Sequence, residues 1–453
     1  MLEYLEQQTR LTGNQYRIIL VAVLGNLLEF YDFFVIGFVV AFIVGPWQIT
    51  YGQSAIILLS SGVGAILGAG FWGWLADRIG RRRVLMATVV NFSVATGILA
   101  LTPDNGWIFL TIFRFFVGVG VGGLYCVILP LVQEFMPSSK RGLVSGIVTA
   151  AVPLGLGLGA VLGASLAPIV GWRGLFAMGL LPALMTLLIR AWVPESPRWL
   201  MRMGYLEEAR QSLAWALQIA PQQIRLPAAG VVAQPVEWRE LFDYPRSLMV
   251  SCIGNLAAQT GIYGLSLWVP TLFVQALQVS PARASYLMIY CSMGGFAGRI
   301  AFSYLSEAIG RRISGGLYGF GAAVLVILAG YLHNAYLGAT PVFWLMLVLG
   351  YFFADGGFAI VGPYAAEVWP ARLRASGMGS TYGFGGIGKI IGPLGLALIV
   401  GSSNIVKPEA SVTKIVPAFI YLGSWFALAG IVYGFFGIET RGRSIEQIDI
   451  ELG

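Results

Sequence analysis

Two acidic side chains lie inside the first long apolar segment of the chain, residues 18–44. Asn26, Glu29 and Asp32 are spaced three apart, so they share a face if the segment is a helix. In a membrane-spanning helix entered at Arg17, Glu29 and Asp32 lie roughly 18 and 22 Å deep, near or just past the midplane. An ionised group at that depth costs at least ~2.5 kcal/mol, so the pair is expected to face a cavity and carry protons. Alternatively, one of them bonds a neighbouring helix or stays protonated.

Further charges fall well inside apolar segments, and the candidate site includes Arg114, Asp355 and Lys389. A desolvated ammonium such as that of Lys389 is unfavourable unless it pairs with a carboxylate or with an anion that arrives from outside. Lys389 is therefore expected to contact an acidic substrate, or else to form a structural pair with Asp355. Arg114 either packs helices together or couples to the carboxylates of the first segment.

Polar side chains recur at four-residue spacing in the seventh apolar segment, where Asn255, Gln259 and Tyr263 form one stripe down a helix. Tyr382 precedes Lys389 by one heptad in the eleventh segment. Individually, each of these residues is more often a packing residue. As a set facing one cavity, and together with Asp355, they are expected to bind a small polar molecule.

The composition is typical of an integral membrane protein. The 453 residues are 57% hydrophobic and only 11% charged, and the mean hydropathy is +0.78. These charged residues are too few to cover the surface of a soluble protein of this size. The net charge of +7 lies mostly on one side of the expected membrane, so no nucleic-acid partner is expected. We find no catalytic motif, metal cluster or cofactor loop, and predict that the chain is not an enzyme, with the proton as its only coupling ion.

Twelve apolar runs have the length of membrane spans. The positive-inside rule places both termini and the arginine-rich connections in the cytoplasm, as expected for a bacterial inner-membrane protein. The runs are residues 18–44, 53–76, 84–101, 107–133, 142–169, 174–191, 247–276, 283–304, 314–333, 342–365, 375–400 and 415–437.

The chain repeats itself. Residues 75–82 (LADRIGRR) return as 305–312 (LSEAIGRR), and the pattern E-x-x-P-x-x-x-R at 134–141 returns at 367–374. Both pairs are separated by about half the chain, which predicts two equivalent six-span halves, residues 1–191 and 247–438. Between them, 192–246 is expected to be a cytoplasmic linker with a surface helix over 205–220, and 439–453 a cytoplasmic tail.

These motifs resemble the major facilitator superfamily. Residues 73–82 are similar to its loop between helices 2 and 3, and the pattern Arg114-x-x-x-Gly118-x-Gly120-x-Gly122 is similar to its helix 4 motif. Residues 194–200 and 439–442 resemble loop signatures of the sugar-porter and organic-ion branches. The first span, 25–33, resembles the metabolite:proton symporters, which implies a small carboxylate, proline or betaine as substrate. The resemblance implies an all-α fold of two pseudo-symmetric six-helix bundles.

The charged loop residues are expected to form a cytoplasmic gate that latches the two halves when the outer side is open. The alternative is that these charges only anchor the loops at the lipid headgroups and fix the topology. The gate residues are Asp77, Arg81, Arg82, Glu134, Arg141, Glu307, Arg311, Glu367 and Arg374.

The expected function is proton-coupled symport of a small organic acid or zwitterion into the cell by alternating access. Glu29 or Asp32 would carry the proton, while Lys389 and Arg114 neutralise a substrate carboxylate. A sugar or sugar-acid porter and a proton-coupled exporter of drugs or metabolites remain alternatives. The expected partners are the substrate and the lipid bilayer, and the chain is expected to be a monomer.

Overall fold

The computed structural model describes residues 3–225, 238–370 and 373–441 and is almost entirely helical. Ten helices within these ranges are each long and apolar enough to cross a membrane, and a pair bent by 41° makes an eleventh span. The twelfth, Pro281–Ile309, has a comparable length of 29 residues but carries buried charge. The predicted all-α fold with twelve spans is confirmed.

The first half contains spans α1 to α6. Their bounds are α1 Gly13–Trp47, α2 Tyr51–Ile79, α3 Arg81–Leu99, α4 Trp107–Glu134, α5 Ser138–Thr149 followed by Ala151–Ser165, and α6 Ala167–Met178 followed by the 3-10 turn Leu181–Leu184 and Met185–Trp192.

The second half contains spans α7 to α12. Their bounds are α7 Pro245–Leu248, the π-turn Met249–Ile253 and Gly254–Leu277; α8 Pro281–Ile309; α9 Arg311–Tyr331; α10 Val342–Gly356 and Phe358–Glu367; α11 Arg374–Gly386 and Gly388–Val400; and α12 Pro408–Ile431 with the π-turn Val432–Phe436.

Short elements fill the connections. The linker contains helices Pro197–Arg202 and Leu206–Leu217, the latter inside the predicted 205–220, and 3-10 turns at Pro221–Gln223 and Trp238–Asp243. A helix Glu3–Glu6 precedes α1, and strands Tyr336–Leu337 and Thr340–Pro341 pair antiparallel between α9 and α10. The linker helix packs on the N-terminal segment, because Leu213 and Leu217 are buried against Leu5.

Local sequence sets several helix boundaries. Thr12 and Thr50 each form a capping box with the glutamine three residues later, which fixes the starts of α1 and α2. Gly80 and Gly310 occupy the same place in the repeated loop motif, and their φ angles of 104° and 94° suit glycine. These two glycines separate α2 from α3 and α8 from α9, so the sequence repeat is also a structural repeat.

The two halves are closed against each other at one end of the bundle. We call the end at which α1 begins and α12 ends, with the arginine-rich loops, the basic end, and the other the opposite end. At the opposite end, Thr50 forms a β-bridge with Ile405, Tyr51 stacks on Trp268 at 5.4 Å, and its hydroxyl bonds Ser411. The ion pairs described at the basic end each join residues of a single half or its adjoining segment. The space between the halves therefore opens toward the basic end.

Candidate functional site

The polar face of α1 is buried among helices, but its members turn to different partners. Glu29 is 1% exposed and Asp32 is 0% exposed. Asn26 donates to the Val148 carbonyl of α5 at 2.8 Å, which ties these two spans together. Glu29 lies close enough to Lys389 of the second half for the two charges to attract each other, whereas the carboxyl group of Asp32 lies beside residues of the first half.

Arg114 of α4 holds α1 through its backbone. Its guanidinium donates to the carbonyls of Asp32 and Phe33 at 2.7 and 2.8 Å, and to the Ser61 hydroxyl of α2 at 3.1 Å. The side chain is 0% exposed. The predicted substrate contact of Arg114 is therefore corrected: this residue positions α1, because both of its terminal nitrogens already bond α1 or α2 and none of its surface is accessible.

The Asp32 carboxyl group is enclosed beside this arginine. Neither of its oxygens has a hydrogen-bond partner among the described residues, although the Thr96 hydroxyl of α3 faces it. A Cβ at Gly179 of α6 would lie 3.0 Å from one oxygen. A carboxyl group that attracts a guanidinium and lacks fixed hydrogen bonds is suited to binding and releasing a proton.

Lys389 of α11 lies where the two halves meet. Its Nζ is 5.3 Å from the ring centre of Phe33 in α1 and 5.0 Å from that of Tyr263 in α7. The ammonium attracts Glu29 without coming within the 4.0 Å of a salt bridge. Lys389 itself is half-buried, and the nearby thiol of Cys126 in α4 is exposed. These groups therefore border a solvent-accessible chamber between the halves.

Asp355 of α10 pairs with Arg299 of α8, not with Lys389. The Arg299 Nε and Nη2 donate to one Asp355 oxygen at 2.9 and 2.7 Å, and both residues are buried. The alternative of a structural pair between Lys389 and Asp355 is thus wrong. Arg299 was not predicted as a site residue, although a charge in the middle of the segment 283–304 is the same signal that identified Arg114.

The polar stripe of α7 faces α11. Gln259 Nε2 donates to Asn255 Oδ1, and a Cβ at Gly385 of α11 would lie 2.0 Å from that oxygen. Tyr263, at the end of the stripe, packs edge-on against Phe33 with ring centres 5.2 Å apart. Within the stripe, Tyr263 is thus the member that contacts the first half. Tyr382 is half-buried, with its hydroxyl near α10.

At the basic end, the first half forms a compact ion network. Arg81 pairs with Glu134 at 3.0 Å, and Glu195 of the linker accepts the backbone N–H groups of Arg81 and Arg82 at 2.8 and 3.1 Å. Asp77 pairs with Arg202 at 3.0 Å. Arg82 itself donates to the Arg190 carbonyl at 2.6 Å.

The second half repeats this arrangement. Arg311 pairs with Glu307 at 2.7 Å and Glu367 at 3.4 Å, while Glu439 accepts the N–H groups of Arg311 and Arg312 at 2.9 and 3.2 Å. The roles of Glu195 and Glu439 were missed, because both residues reach the start of a helix from a distant loop.

Two of the predicted gate residues, Arg141 and Arg374, fall outside these two networks. Arg141 pairs with Glu6 of the N-terminal segment at 3.1 Å, whereas Glu134 pairs with Arg81. The Arg374 side chain lies outside the part of the chain that the structure describes. A latch between the halves belongs to the other state of the cycle, so the gate stays a prediction.

Comparison with known proteins identifies the family. Residues 18–452 match the family model described as sugar (and other) transporter. The chain is 28% identical over 448 residues to the niacin transporter NiaP of Acinetobacter baylyi, covering 96% of each chain. It is 24% identical to a cis,cis-muconate transport protein of the same organism, covering 96% of this chain and 97% of the relative. The 4-hydroxybenzoate transporter PcaK of Pseudomonas aeruginosa is 27% identical, covering 84% and 85%.

The fold is also that of solved transporters. The inward-open structure of the xylose transporter XylE from E. coli superposes with a TM-score of 0.73 at 20% identity, covering 96% of this chain and 99% of that one. At this identity, the likeness concerns the fold. Together with the family match, it shows that the chain is a multi-pass membrane transporter and not an enzyme, and that it belongs to the sugar (and other) transporter family of the major facilitator superfamily.

Proposed function

We propose that this transporter takes up a small organic acid together with protons, by alternating access. The observation that carries the proposal is that two acid–base sets lie close together, one at the chamber and the other enclosed beside it in the first half. Lys389 and Glu29 face each other across the two halves, and Asp32 lies beside Arg114 within the first half. The first set can exchange an anion, and the second can exchange a proton.

Lys389 is the group that we assign to the substrate carboxylate. Its ammonium lies against two aromatic rings, and the residue is half-buried at the edge of the chamber. Glu29 lies beyond salt-bridge distance. The rings of Phe33 and Tyr263 offer apolar surface beside the charge, which suits a compact, flat or partly apolar acid. The names of the relatives support this class, since niacin, muconate and 4-hydroxybenzoate are all carboxylic acids.

Asp32 is the group that we assign to the coupling proton. Loss of that proton strengthens its attraction to Arg114, and Arg114 bonds the backbone carbonyls of Asp32 and Phe33. Because the Phe33 ring contacts Lys389 and Tyr263, a shift of α1 reaches the substrate position directly. Glu29 balances the charge of Lys389 when the chamber holds no anion.

We further propose that the basic end faces the cytoplasm of a bacterial cell and that the chain works as a monomer in the inner membrane. The excess of arginine at this end supports the orientation. In that orientation, the chamber opens inward and the contacts of Tyr51 with Trp268 and Ser411 close the outside. Rocking of the two halves about the Lys389 region then exposes the site to each side in turn.

The test is uptake of radiolabelled nicotinate or 4-hydroxybenzoate into proteoliposomes with an acidic exterior. The parent protein is expected to accumulate label with the pH gradient. Asp32→Asn is expected to lose accumulation, because it cannot release a proton, yet to keep exchange of internal for external substrate. The matched control is Asp104→Asn, which changes an exposed carboxylate paired with Arg173. Unchanged gradient-driven uptake by Asp32→Asn would refute the coupling assignment.

The same assay separates the two alternatives. A sugar porter would accumulate labelled xylose or glucose, but a neutral sugar would leave Lys389 without an anionic ligand other than Glu29. A proton-coupled exporter would move label out of preloaded proteoliposomes in exchange for protons that move inward. We expect neither result.

A further inference from the structure

The charged groups in the interior of the spans balance one another. Among the described residues, these groups are three acids and three bases: Glu29, Asp32, Asp355, Arg114, Arg299 and Lys389. When all of them are ionised, their charges cancel. One proton bound at Asp32 and one negative charge bound at Lys389 leave the sum at zero, whereas a doubly charged acid leaves one negative charge in excess. An uncompensated charge is unfavourable at this depth in a membrane.

Among the described residues in the interior of the spans, a bound acid would find one cation with an open position. The Arg299 Nε and Nη2 donate to Asp355, and its Nη1 donates to the Thr149 carbonyl at 2.7 Å. Both terminal nitrogens of Arg114 bond α1 or α2, and this residue is 0% exposed. Lys389 is the cation that remains, since it is half-buried at the chamber and forms no salt bridge within 4.0 Å.

Glu29 lies one turn of α1 nearer the basic end than Phe33, whose ring centre is 5.3 Å from Nζ of Lys389. Residues four apart share a helix face, so the Glu29 side chain lies on the side of α1 that faces Lys389. Its charge acts on Lys389, on Tyr263 of α7 and on Cys126 of α4. Glu29 therefore lies beside the route by which an acid reaches Lys389 from the basic end.

The Glu29 carboxylate is enclosed, and its charge is poorly screened. The residue is 1% exposed, and its Oε2 atom is buried without a hydrogen-bond partner among the described residues. Water and salt screen a buried charge much less than a charge at the surface. A second carboxylate next to the first one on a bound acid would therefore be repelled by Glu29 while the first is attracted by Lys389.

We propose that Glu29 sets the charge selectivity of the site: it admits an acid with one negative charge and rejects an acid that carries a second carboxylate next to the first. The proposal rests on the function proposed above, in which Lys389 binds the substrate carboxylate, and it narrows the substrate class to acids with one negative charge. Repulsion between two buried charges a few ångströms apart weakens binding by about tenfold or more.

Three acids of one series separate charge from shape. Benzoate carries one carboxylate, phthalate carries a second one at the neighbouring ring carbon, and phthalamate carries an amide at that position. Phthalate and phthalamate have nearly the same shape, but phthalate carries one more negative charge at neutral pH. The ratio of their affinities therefore reports charge selectivity, because a change in the packing of the site would act on both acids alike.

Binding is read from the protection of Cys126, which is exposed in the chamber, whereas Cys252 and Cys291 are buried. In a Cys252→Ala, Cys291→Ala background, a membrane-impermeant methanethiosulfonate reagent is added to vesicles from the side of the basic end. The concentration of each acid that gives half of its maximal protection is measured. This readout needs no transport, so a variant that binds acids without transporting them is still tested.

In this background, phthalate is expected to require a concentration about tenfold or more above that of phthalamate. Glu29→Gln keeps the size of the side chain and removes its charge, so it should lower the ratio of the two concentrations by about tenfold or more. Glu29→Asp retains the charge and should keep the ratio within about threefold of the parental value. Glu409→Gln, which changes an exposed acid in the first turn of α12, is the control and should leave the ratio unchanged.

Folding of each variant is checked by size-exclusion homogeneity. If Glu29→Gln fails to fold, the comparison of Glu29→Asp with Glu29→Asn carries the test, because these two side chains have the same size and differ in charge. The ratio should then be lower in Glu29→Asn than in Glu29→Asp by about tenfold or more.

Equal concentrations of phthalate and phthalamate in the parent would overturn the selectivity, and a parental ratio in Glu29→Gln would overturn its assignment to Glu29. The proposal would also be wrong if phthalamate failed to protect where benzoate protects, because shape and not charge would then reject the second group. If benzoate itself gives no protection, the proposed acid site at Lys389 fails, and the selectivity fails with it. The two failures are therefore distinguishable.

Discussion

The environment of Lys389 explains why an anion belongs beside it. Cation–π contact with two rings contributes ~0.5–2 kcal/mol, which is less than the several kcal/mol needed to remove an ammonium from water. Glu29 attracts the charge but does not form a salt bridge with it. A substrate carboxylate would form the salt bridge that Lys389 lacks, and it would reach the ammonium through the chamber between the halves.

We predict that Lys389→Gln raises the KM for a transported acid by about tenfold or more, because a charge-assisted bond to the carboxylate is lost. Lys389→Arg should raise it less. Initial rates of uptake over a range of substrate concentrations give the measurement. Lys407→Gln, an exposed lysine between α11 and α12, is the control and should leave the KM unchanged. A parental KM in Lys389→Gln would show that the substrate binds elsewhere.

Helix packing depends on residues that carry no chemistry. At Gly122 of α4, an added Cβ would lie 2.0 Å from the Ala65 carbonyl oxygen of α2, and at Gly298 of α8 it would lie 1.9 Å from that of Phe352 in α10. These backbone atoms cannot move aside as a side chain can. The two sites occupy corresponding helix pairs of the two halves, so the repeat conserves close packing as well as loop motifs.

We predict that Gly122→Ala lowers the free energy of unfolding by about 1–3 kcal/mol, because it overpacks the α2–α4 contact. Gly146→Ala should be neutral or stabilising, since its Cβ meets nothing within 4 Å. The thermal denaturation midpoint in detergent, read with size-exclusion homogeneity, is the measurement. Equal midpoints for the two variants would contradict the close-packing account.

The spans, the repeat and most buried charges follow from the sequence, because they depend on hydropathy, spacing and residue type. The partners of those charges do not. Glu29 and Asp32 share a helix face only to within roughly 60°, and that offset is enough to turn one toward Lys389 and the other toward Arg114. Similarly, Asp355 finds Arg299 because α8 and α10 are neighbours in space, which no local pattern encodes.

At the scale of the whole molecule, the two halves are held together at the opposite end and separated at the basic end. The opposite end is sealed by backbone pairing of Thr50 with Ile405 and by stacking of Tyr51 on Trp268. At the basic end, the ion networks of Arg81 and Arg311 stay within their own halves. Each half can therefore move as a unit whose charges remain paired, and the chamber between them holds the site.

The most direct test of this account is whether a transported acid shields Cys126. In the Cys252→Ala, Cys291→Ala background, saturating nicotinate or 4-hydroxybenzoate, whichever the protein transports, should slow labelling of Cys126 from the basic end by about fivefold or more, as expected for occupancy of a site near the thiol. In Lys389→Gln, the concentration of acid that gives half of this protection should rise by about tenfold or more, in line with the predicted rise in KM. An acid that is transported yet leaves the labelling rate of Cys126 unchanged would contradict a substrate site between Lys389 and Glu29.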